Sequence, residues 1–287
     1  MKRFSGKRVW GALVWLALGA GLAACSTQPP LPTVAKVDLP RFMGPWYVIA
    51  TIPTFLEKDA WNAVETYELA KDGTIATTFT FHAGGFEGPL KTYHPRGFVR
   101  DTTTNATWGM QFLWPFKAEF LITHLDERYT QTVIGRTARD HVWIMARTPT
   151  MPDADYAALV AQLRTQGYAV DHLRRVPQQW PAVTAVPAAG LAALQASAPK
   201  LRVVDVRSPE EFAAGHVPGA VNLPLERLQT DPVGAGLQPD EAVVLYCVAG
   251  PRSLRAAAAL QARGFTAVQQ LAGHFEGWKA AGQPIEQ

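Results

Sequence analysis

The residues best suited to do chemistry lie in one short run, Cys247-Val248-Ala249-Gly250-Pro251-Arg252-Ser253. The apolar, β-branched segment Val243–Tyr246 precedes it, and a helix-forming segment from Ser253 to Arg263 follows, with Gly264 placed as its stop. A thiol at such a junction sits where loop N–H groups can curl around the sulfur and where a helix presents its positive end. Both effects favour thiolate over thiol. Arg252 adds a fixed positive charge, and Gly250 admits backbone torsions that other residues resist. Cys247, Gly250 and Arg252 are therefore the candidate catalytic residues, with Cys247 as nucleophile. The competing reading is an inert cysteine buried at the end of a core strand.

The chain has one other cysteine, Cys25, at the end of a leader. Lys2, Arg3, Lys7 and Arg8 give a basic start, and an apolar run of 16 residues from Val9 to Ala24 follows. A membrane-spanning helix needs about 20 apolar residues, so the run reads as an export signal rather than an anchor. Its end, Leu22-Ala23-Ala24-Cys25, resembles the lipobox of bacterial lipoproteins. That resemblance implies cleavage before Cys25, acylation of its sulfur with palmitate-type chains and of the new amine, and a lipid-anchored protein. Ser26 in the next position points to the outer membrane, facing the periplasm. Stable anchoring takes two or more chains, because one alone binds only marginally. The expected organisation is a signal at 1–24, a lipidated tether at 25–36, a first domain at 37–179 and a second at 180–287.

The leader carries four basic groups and no acidic one, so the chain beyond it has 23 basic against 24 acidic residues. The basic excess thus belongs to the leader, no basic patch argues for nucleic acid, and no nucleic-acid partner is expected. No His or Cys pair has metal-ligand spacing, so no metal and no cofactor is expected. Gly234-Ala235-Gly236 lacks the third glycine and the strand of a nucleotide fingerprint and reads as a loop.

Two kinds of element must position these residues. From Arg41 to Arg147 the chain shows short period-two segments divided by turn signals such as Lys71-Asp72-Gly73 and Gly84-Gly85. Ile75, Thr77, Phe79 and Phe81 alternate with Thr74, Ala76, Thr78 and Thr80, and Trp108, Met110, Phe112 and Trp114 with Gly109, Gln111 and Leu113. About eight such strands favour a closed up-and-down barrel with room for one small ligand. Phe79, Phe81, Trp108, Phe112 and Trp114 are the candidate lining residues, although wall packing explains each as readily. One helix follows, with Pro152 in its first turn, Asp153 and Asp155 near its positive end, a stripe of Tyr156, Leu159, Val160 and Leu163, and Gly167 as its stop. After the seam Pro177-Gln178-Gln179-Trp180-Pro181, strands alternate with helices, as in a mostly parallel sheet covered on both faces. Ser208-Pro209-Glu210-Glu211 reads as a capping box opening one of those helices.

The first domain resembles the lipocalins, and within them the bacterial outer-membrane lipocalins. Gly44-Pro45-Trp46-Tyr47, Leu125-Asp126-Glu127-Arg128-Tyr129 and Arg147-Thr148-Pro149 fall in the order of that family's three motifs. The resemblance implies an eight-stranded barrel whose base is closed by Arg147 over Trp46, so that Gly44, Trp46, Asp126 and Arg147 are structural. It also implies a fatty acid, a lysophospholipid or a similar apolar ligand. The second domain resembles the rhodaneses through Asp205-Val206-Arg207, Gly215–Asn222, Cys247-x-x-Gly250-x-Arg252, and Gly273 with Trp278. That resemblance implies sulfurtransferase activity, in which Cys247 takes sulfane sulfur from a donor and passes it to a thiol acceptor. Asp205, Arg207 and His216 are expected to brace the fold. Only four residues separate Cys247 from Arg252, where related phosphatases have five, which disfavours phosphoester chemistry. A single cation in the loop disfavours the thiosulfate dianion as donor. The alternative is a lipid-binding lipoprotein whose second module is a non-catalytic sulfur-sensing or interaction domain.

Overall fold

The computed structural model describes residues 28–287. The leader and Cys25 lie outside the described residues.

A short helix, α1 (Leu39–Phe42), leads into nine antiparallel strands: β1 (Gly44–Ile52), β2 (Ala60–Leu69), β3 (Ile75–Ala83), β4 (Leu90–Tyr93), β5 (Arg96–Val99), β6 (Thr107–Leu113), β7 (Phe116–Leu125), β8 (Gln131–Gly135) and β9 (Val142–Ala146). Strands β4 and β5 both pair with β3 and share one place in the order, so the wall has eight positions. It closes where β1 pairs with β9, from Tyr47 opposite Ala146 to Ile52 opposite Val142. Closure leaves no free edge among these positions. The period-two pattern works as expected in β3, where Ile75, Thr77, Phe79 and Phe81 are all buried. It ends early in β6. Proline cannot donate to a ladder, so the strand stops at Leu113, and Trp114 falls with Pro115 in the turn to β7. Trp114 is 81% exposed.

Helix α2 (Asp153–Thr165) lies against the outside of the barrel. Pro152 is its N-cap rather than part of its first turn, because Pro152 has an extended ψ of 140°. Leu159 and Leu163 are buried beside Tyr47, Ile49 and Ile144, and Tyr156 and Val160 flank them. Burying each leucine stabilises this packing by about 2 kcal/mol. Gly167 ends the helix region at φ +88°. A two-residue strand, β10 (Arg174–Arg175), then pairs with β1.

The second domain contains β11 (Thr184–Val186), α3 (Ala188–Ser197), β12 (Arg202–Asp205), α4 (Pro209–Ala213), β13 (Val221–Asn222), α5 (Leu225–Thr230), β14 (Val243–Tyr246), α6 (Pro251–Gln261), β15 (Val268–Leu271) and α7 (His274–Ala280). The five strands form a parallel sheet in the order β11-β15-β14-β12-β13. Leu228, Leu260 and Phe265 belong to the apolar layer on one face, and Leu191, Phe275 and Trp278 to that on the other. The central strand β14 is buried along its whole length, which explains its continuous apolar run.

The two domains touch through the seam residues. Asn62 of β2 donates from Nδ2 to the Gln179 carbonyl at 2.8 Å and accepts from the Gln179 N–H at 2.7 Å. Arg255 of α6 donates to the Asn62 carbonyl at 3.2 Å, and its guanidinium lies 5.1 Å from the Trp180 ring. Trp180 in turn meets Tyr47 edge-on at 5.5 Å. One face of α6 is thereby docked on the barrel, which decides what the thiol loop sees.

Candidate functional site

Strand β14 delivers Cys247 to the carboxyl end of the sheet, and α6 begins four residues later. Gly250 makes this turn possible. Its φ of +125° and ψ of −52° lie where side chains are strained, and a Cβ there would come within 3.2 Å of His274 Nε2. The turn aims the Gly250 N–H at Cys247 Sγ, 3.0 Å away. Cys247 Sγ also lies 3.9 Å from Ser253 Oγ. That hydroxyl donates to the Gly250 carbonyl at 2.7 Å and accepts from Gln270 Nε2 at 2.7 Å, fixing its place beside the sulfur. From the far side, the N–H groups of Phe275 and Glu276 donate to the carbonyls of Cys247 and Val248 at 3.0 and 3.2 Å. The cradle expected around the sulfur is thus one backbone N–H at the start of a helix, in a loop pinned at both ends.

Arg252 does not stand as a free charge. Its Nη1 and Nη2 donate to the two carboxylate oxygens of Glu211 at 2.6 and 2.8 Å. Burial alone would depress this guanidinium, but the Glu211 hydrogen bonds and the neighbouring charges of Cys247 and Glu211 hold it above the ordinary arginine range. Glu211 is also the capping-box residue of α4, accepting from the Ser208 N–H at 2.9 Å. Burial would raise its carboxyl, and the Arg252 contact outweighs that and lowers it. A third charge comes from the other domain. Glu68 of β2 lines the same cleft, and burial, then the charge of Glu211, raise its carboxyl.

The cleft measures about 330 Å³ and has one wall from each domain. Thr66, Thr78, Thr80 and Thr92 of the barrel's outer face stand opposite Cys247, Val248 and Ala249. Cys247 itself is only 1% exposed. Two neighbours escaped the sequence reading. Arg255 is buried between the domains, and burial lowers its guanidinium to about 10. His274 is held neutral, pushed down to about 4 by burial, with its Nδ1 lacking a hydrogen-bond partner. Asp205 and Arg207 form a buried forked pair at 2.6–3.0 Å, and Arg207 also holds the Gly215 carbonyl. His216 stacks on Phe212 with ring centroids 3.7 Å apart. None of Asp205, Arg207 and His216 lines the cleft.

The barrel holds a second cavity, of about 550 Å³. Its closed end is built from the motif residues. Arg147 lies over the Trp46 ring at 3.8 Å and donates to the carbonyls of Pro45, Phe42, Arg41 and Tyr129 at 2.8–3.2 Å. Burial lowers its guanidinium to about 10. Gly44, at φ +91°, passes so close that a Cβ would sit 3.3 Å from Arg147 Nη1. Asp126 organises the β7–β8 turn, accepting from the N–H groups of Thr130 and Gln131, each at 2.6 Å. Above the base, Trp46, Phe42, Tyr67 and Trp108 pack in an aromatic floor.

Of the five candidate lining residues, Phe79 and Phe112 border the cavity. Trp108 is in the floor, stacked on Phe120 at 5.0 Å, and Phe81 packs in the wall against Phe79 and Tyr93. Trp114 points away in its turn, for the reason given by Pro115. The cavity also has polar groups that sequence reasoning missed. Glu57 at the rim takes both its oxygens to Trp143 Nε1, at 3.0 and 3.1 Å, and burial raises its carboxyl. Glu65 lies deeper on β2 and accepts from the Tyr67 hydroxyl. Its signal was present in the alternation Ala63, Glu65, Tyr67, which places an acid on the inward row.

Residues 37–178 match the lipocalin-like domain family, and residues 188–281 the rhodanese-like domain family. Outer membrane lipoprotein Blc of Citrobacter freundii is 29% identical over 160 residues, covering 55% of this chain and 90% of that protein. Thiosulfate sulfurtransferase 16 of Arabidopsis thaliana is 33% identical over 97 residues, covering 30% of this chain and 79% of that protein. Among solved structures, the cockroach allergen Per a 4 is 19% identical with a TM-score of 0.41, over 53% of this chain and 96% of that one. With the closed barrel and the thiol-bearing parallel sheet already in place, the chain belongs to both families, joining an N-terminal lipocalin-like domain to a C-terminal rhodanese-like domain.

Proposed function

We propose that the protein is an outer-membrane lipoprotein, acylated at Cys25, whose barrel carries a long apolar ligand of the fatty-acyl type and whose second domain transfers sulfane sulfur through Cys247. The observation that carries the sulfur reading is the 3.0 Å hydrogen bond from the Gly250 N–H to Cys247 Sγ at the start of α6. That donor and the helix terminus stabilise negative sulfur before and after transfer, as an oxyanion hole stabilises developing charge. The Cys247 thiolate attacks the terminal sulfur of a persulfide R–S–S⁻. The donor S–S bond breaks, R–S⁻ leaves, and Cys247 holds Cys–S–S⁻. An acceptor thiolate then attacks the terminal sulfur, departs as the new persulfide, and returns the Cys247 thiolate.

The donor class follows from charge. Arg252 is already paired with Glu211, and Glu68 adds a further carboxyl to the cleft. A thiosulfate dianion meets a cleft whose carboxyls, Glu68, Glu211 and Glu226, outnumber its guanidiniums, Arg252 held by Glu211 and Arg255 buried between the domains, so a less charged persulfide is the better donor. The near-complete burial of Cys247 favours one second reading, a sulfur sensor that is loaded once and does not turn over. Multiple-turnover transfer from a low-molecular-weight persulfide to cyanide or a small thiol separates the two. Catalytic turnover, absent in Cys247→Ser, supports the enzyme, whereas a single equivalent of transfer supports the sensor.

A further inference from the structure

Glu65 stands out in the barrel cavity because it is 8% exposed and only partly partnered. Tyr67 donates to its Oε2, the one hydrogen bond this carboxyl makes among the described residues, and Oε1 is left to the cavity. The residue lines a cavity otherwise walled by groups such as Phe79, Met110, Phe120 and Trp143. A carboxyl in such a place is costly unless something pairs with it.

The charges around it point one way. Glu57 at the rim is a second carboxyl, and its charge raises that of Glu65. Arg136, also at the rim, pairs through Nη1 with Asp140 at 3.2 Å and leaves its Nε unpartnered, and Glu119 is engaged by Thr137. Arg147 lies beneath the aromatic floor and spends its donors on backbone carbonyls. No cation of the described residues contacts Glu65. An acyl tail that fills the cavity leaves the Oε1 acceptor without a donor, and a carboxylate head driven inward meets two like groups.

We propose that the barrel selects a long-chain amphiphile carrying a protonated amine, seated head-inward so that the ammonium donates to Glu65 Oε1. This rests on the ligand-carrier reading and assigns the head group that the reading leaves open. The cavity of about 550 Å³ is in the range of roughly 300–1,000 Å³ typical of small-molecule sites. The ammonium supplies both the missing donor and the missing positive charge, and hydrogen bonds between charged groups are the strong ones.

The test titrates the full-length protein at neutral pH with three probes of equal chain length: dodecylamine, dodecan-1-ol and dodecanoic acid. Binding is read by tryptophan fluorescence, and one-to-one stoichiometry by native mass spectrometry. The amine should bind about tenfold or more tighter than the acid. Glu65→Gln should remove most of that preference by weakening the amine while leaving the acid as tight or tighter. Acid binding equal to amine binding in the unmodified protein overturns the head-group assignment, and so does a preference that survives Glu65→Gln. The unmodified protein's ratio needs no variant to fold. If none of the probes binds, the carrier reading itself fails and takes the head-group assignment with it.

Discussion

Raising the pH should destabilise the barrel through Glu65, and replacing that residue with glutamine should abolish the effect. Burial raises the Glu65 carboxyl from 4.5 to about 7, with a smaller contribution from the charge of Glu57 and an opposing one from the Tyr67 hydrogen bond. The folded carboxyl holds its proton to higher pH than the unfolded one. Its contribution to stability is therefore complete below about 4.5 and is lost as the pH rises through about 7. At about 1.36 kcal/mol for each pH interval of one, the interval of about 2.5 corresponds to about 3 kcal/mol. For a domain of this size that lowers the barrel's Tm by about 10 °C between acidic and mildly alkaline buffer. Glu65→Gln keeps an acceptor for the Tyr67 hydroxyl but does not titrate. Its melting temperature should match the unmodified protein at pH 5 and exceed it at pH 8. Calorimetry resolving the barrel transition provides the comparison, and the difference between the two proteins cancels the titrating groups that do not interact with Glu65. Parallel curves across the range would refute the assignment of Glu65 as a buried acid that holds its proton up to about pH 7.

Arg147→Ala removes a cation–π contact and donors to four backbone carbonyls, so it should cost the barrel about 3 kcal/mol or more while changing ligand affinity little; thermal melting and a ligand titration check both halves. Glu68→Gln removes one carboxyl from the cleft and should raise kcat/KM for the thiosulfate dianion relative to a monoanionic persulfide by about threefold, measured with the two domains intact. Cys25→Ala should release the protein from the outer-membrane fraction of its host, and metabolic palmitate labelling should fail.

Much of this fold was legible because local chemistry and global position agree. The alternation of β3, the continuous apolar run of β14 and the Ser208–Glu211 capping box are local patterns, and each appears where its residues predict it. Trp46 and Arg147 are far apart in the chain, yet the family resemblance alone implies the contact between them. The functional details that stayed hidden are long-range. Nothing near Arg252 announces that Glu211, 41 residues earlier, occupies its fork, so the expected free cation is a paired one. Glu68 lines the thiol's cleft because α6 docks on β2 through Arg255 and Asn62, a contact across 193 residues. Trp114 illustrates the reverse case, a local signal overlooked. Pro115 ends the ladder and turns the indole out of the row that its spacing suggested.

The central claim, that Cys247 carries sulfur, is tested most directly by intact-mass analysis of the full-length protein after exposure to a low-molecular-weight persulfide. The account predicts a mass gain of one sulfur atom, localised to Cys247, lost on adding an acceptor thiol and absent in a folded Cys247→Ser variant. An unmodified Cys247 after exposure to both the persulfide and thiosulfate, in a protein whose folding is verified, would contradict it and leave the thiol as a buried core residue.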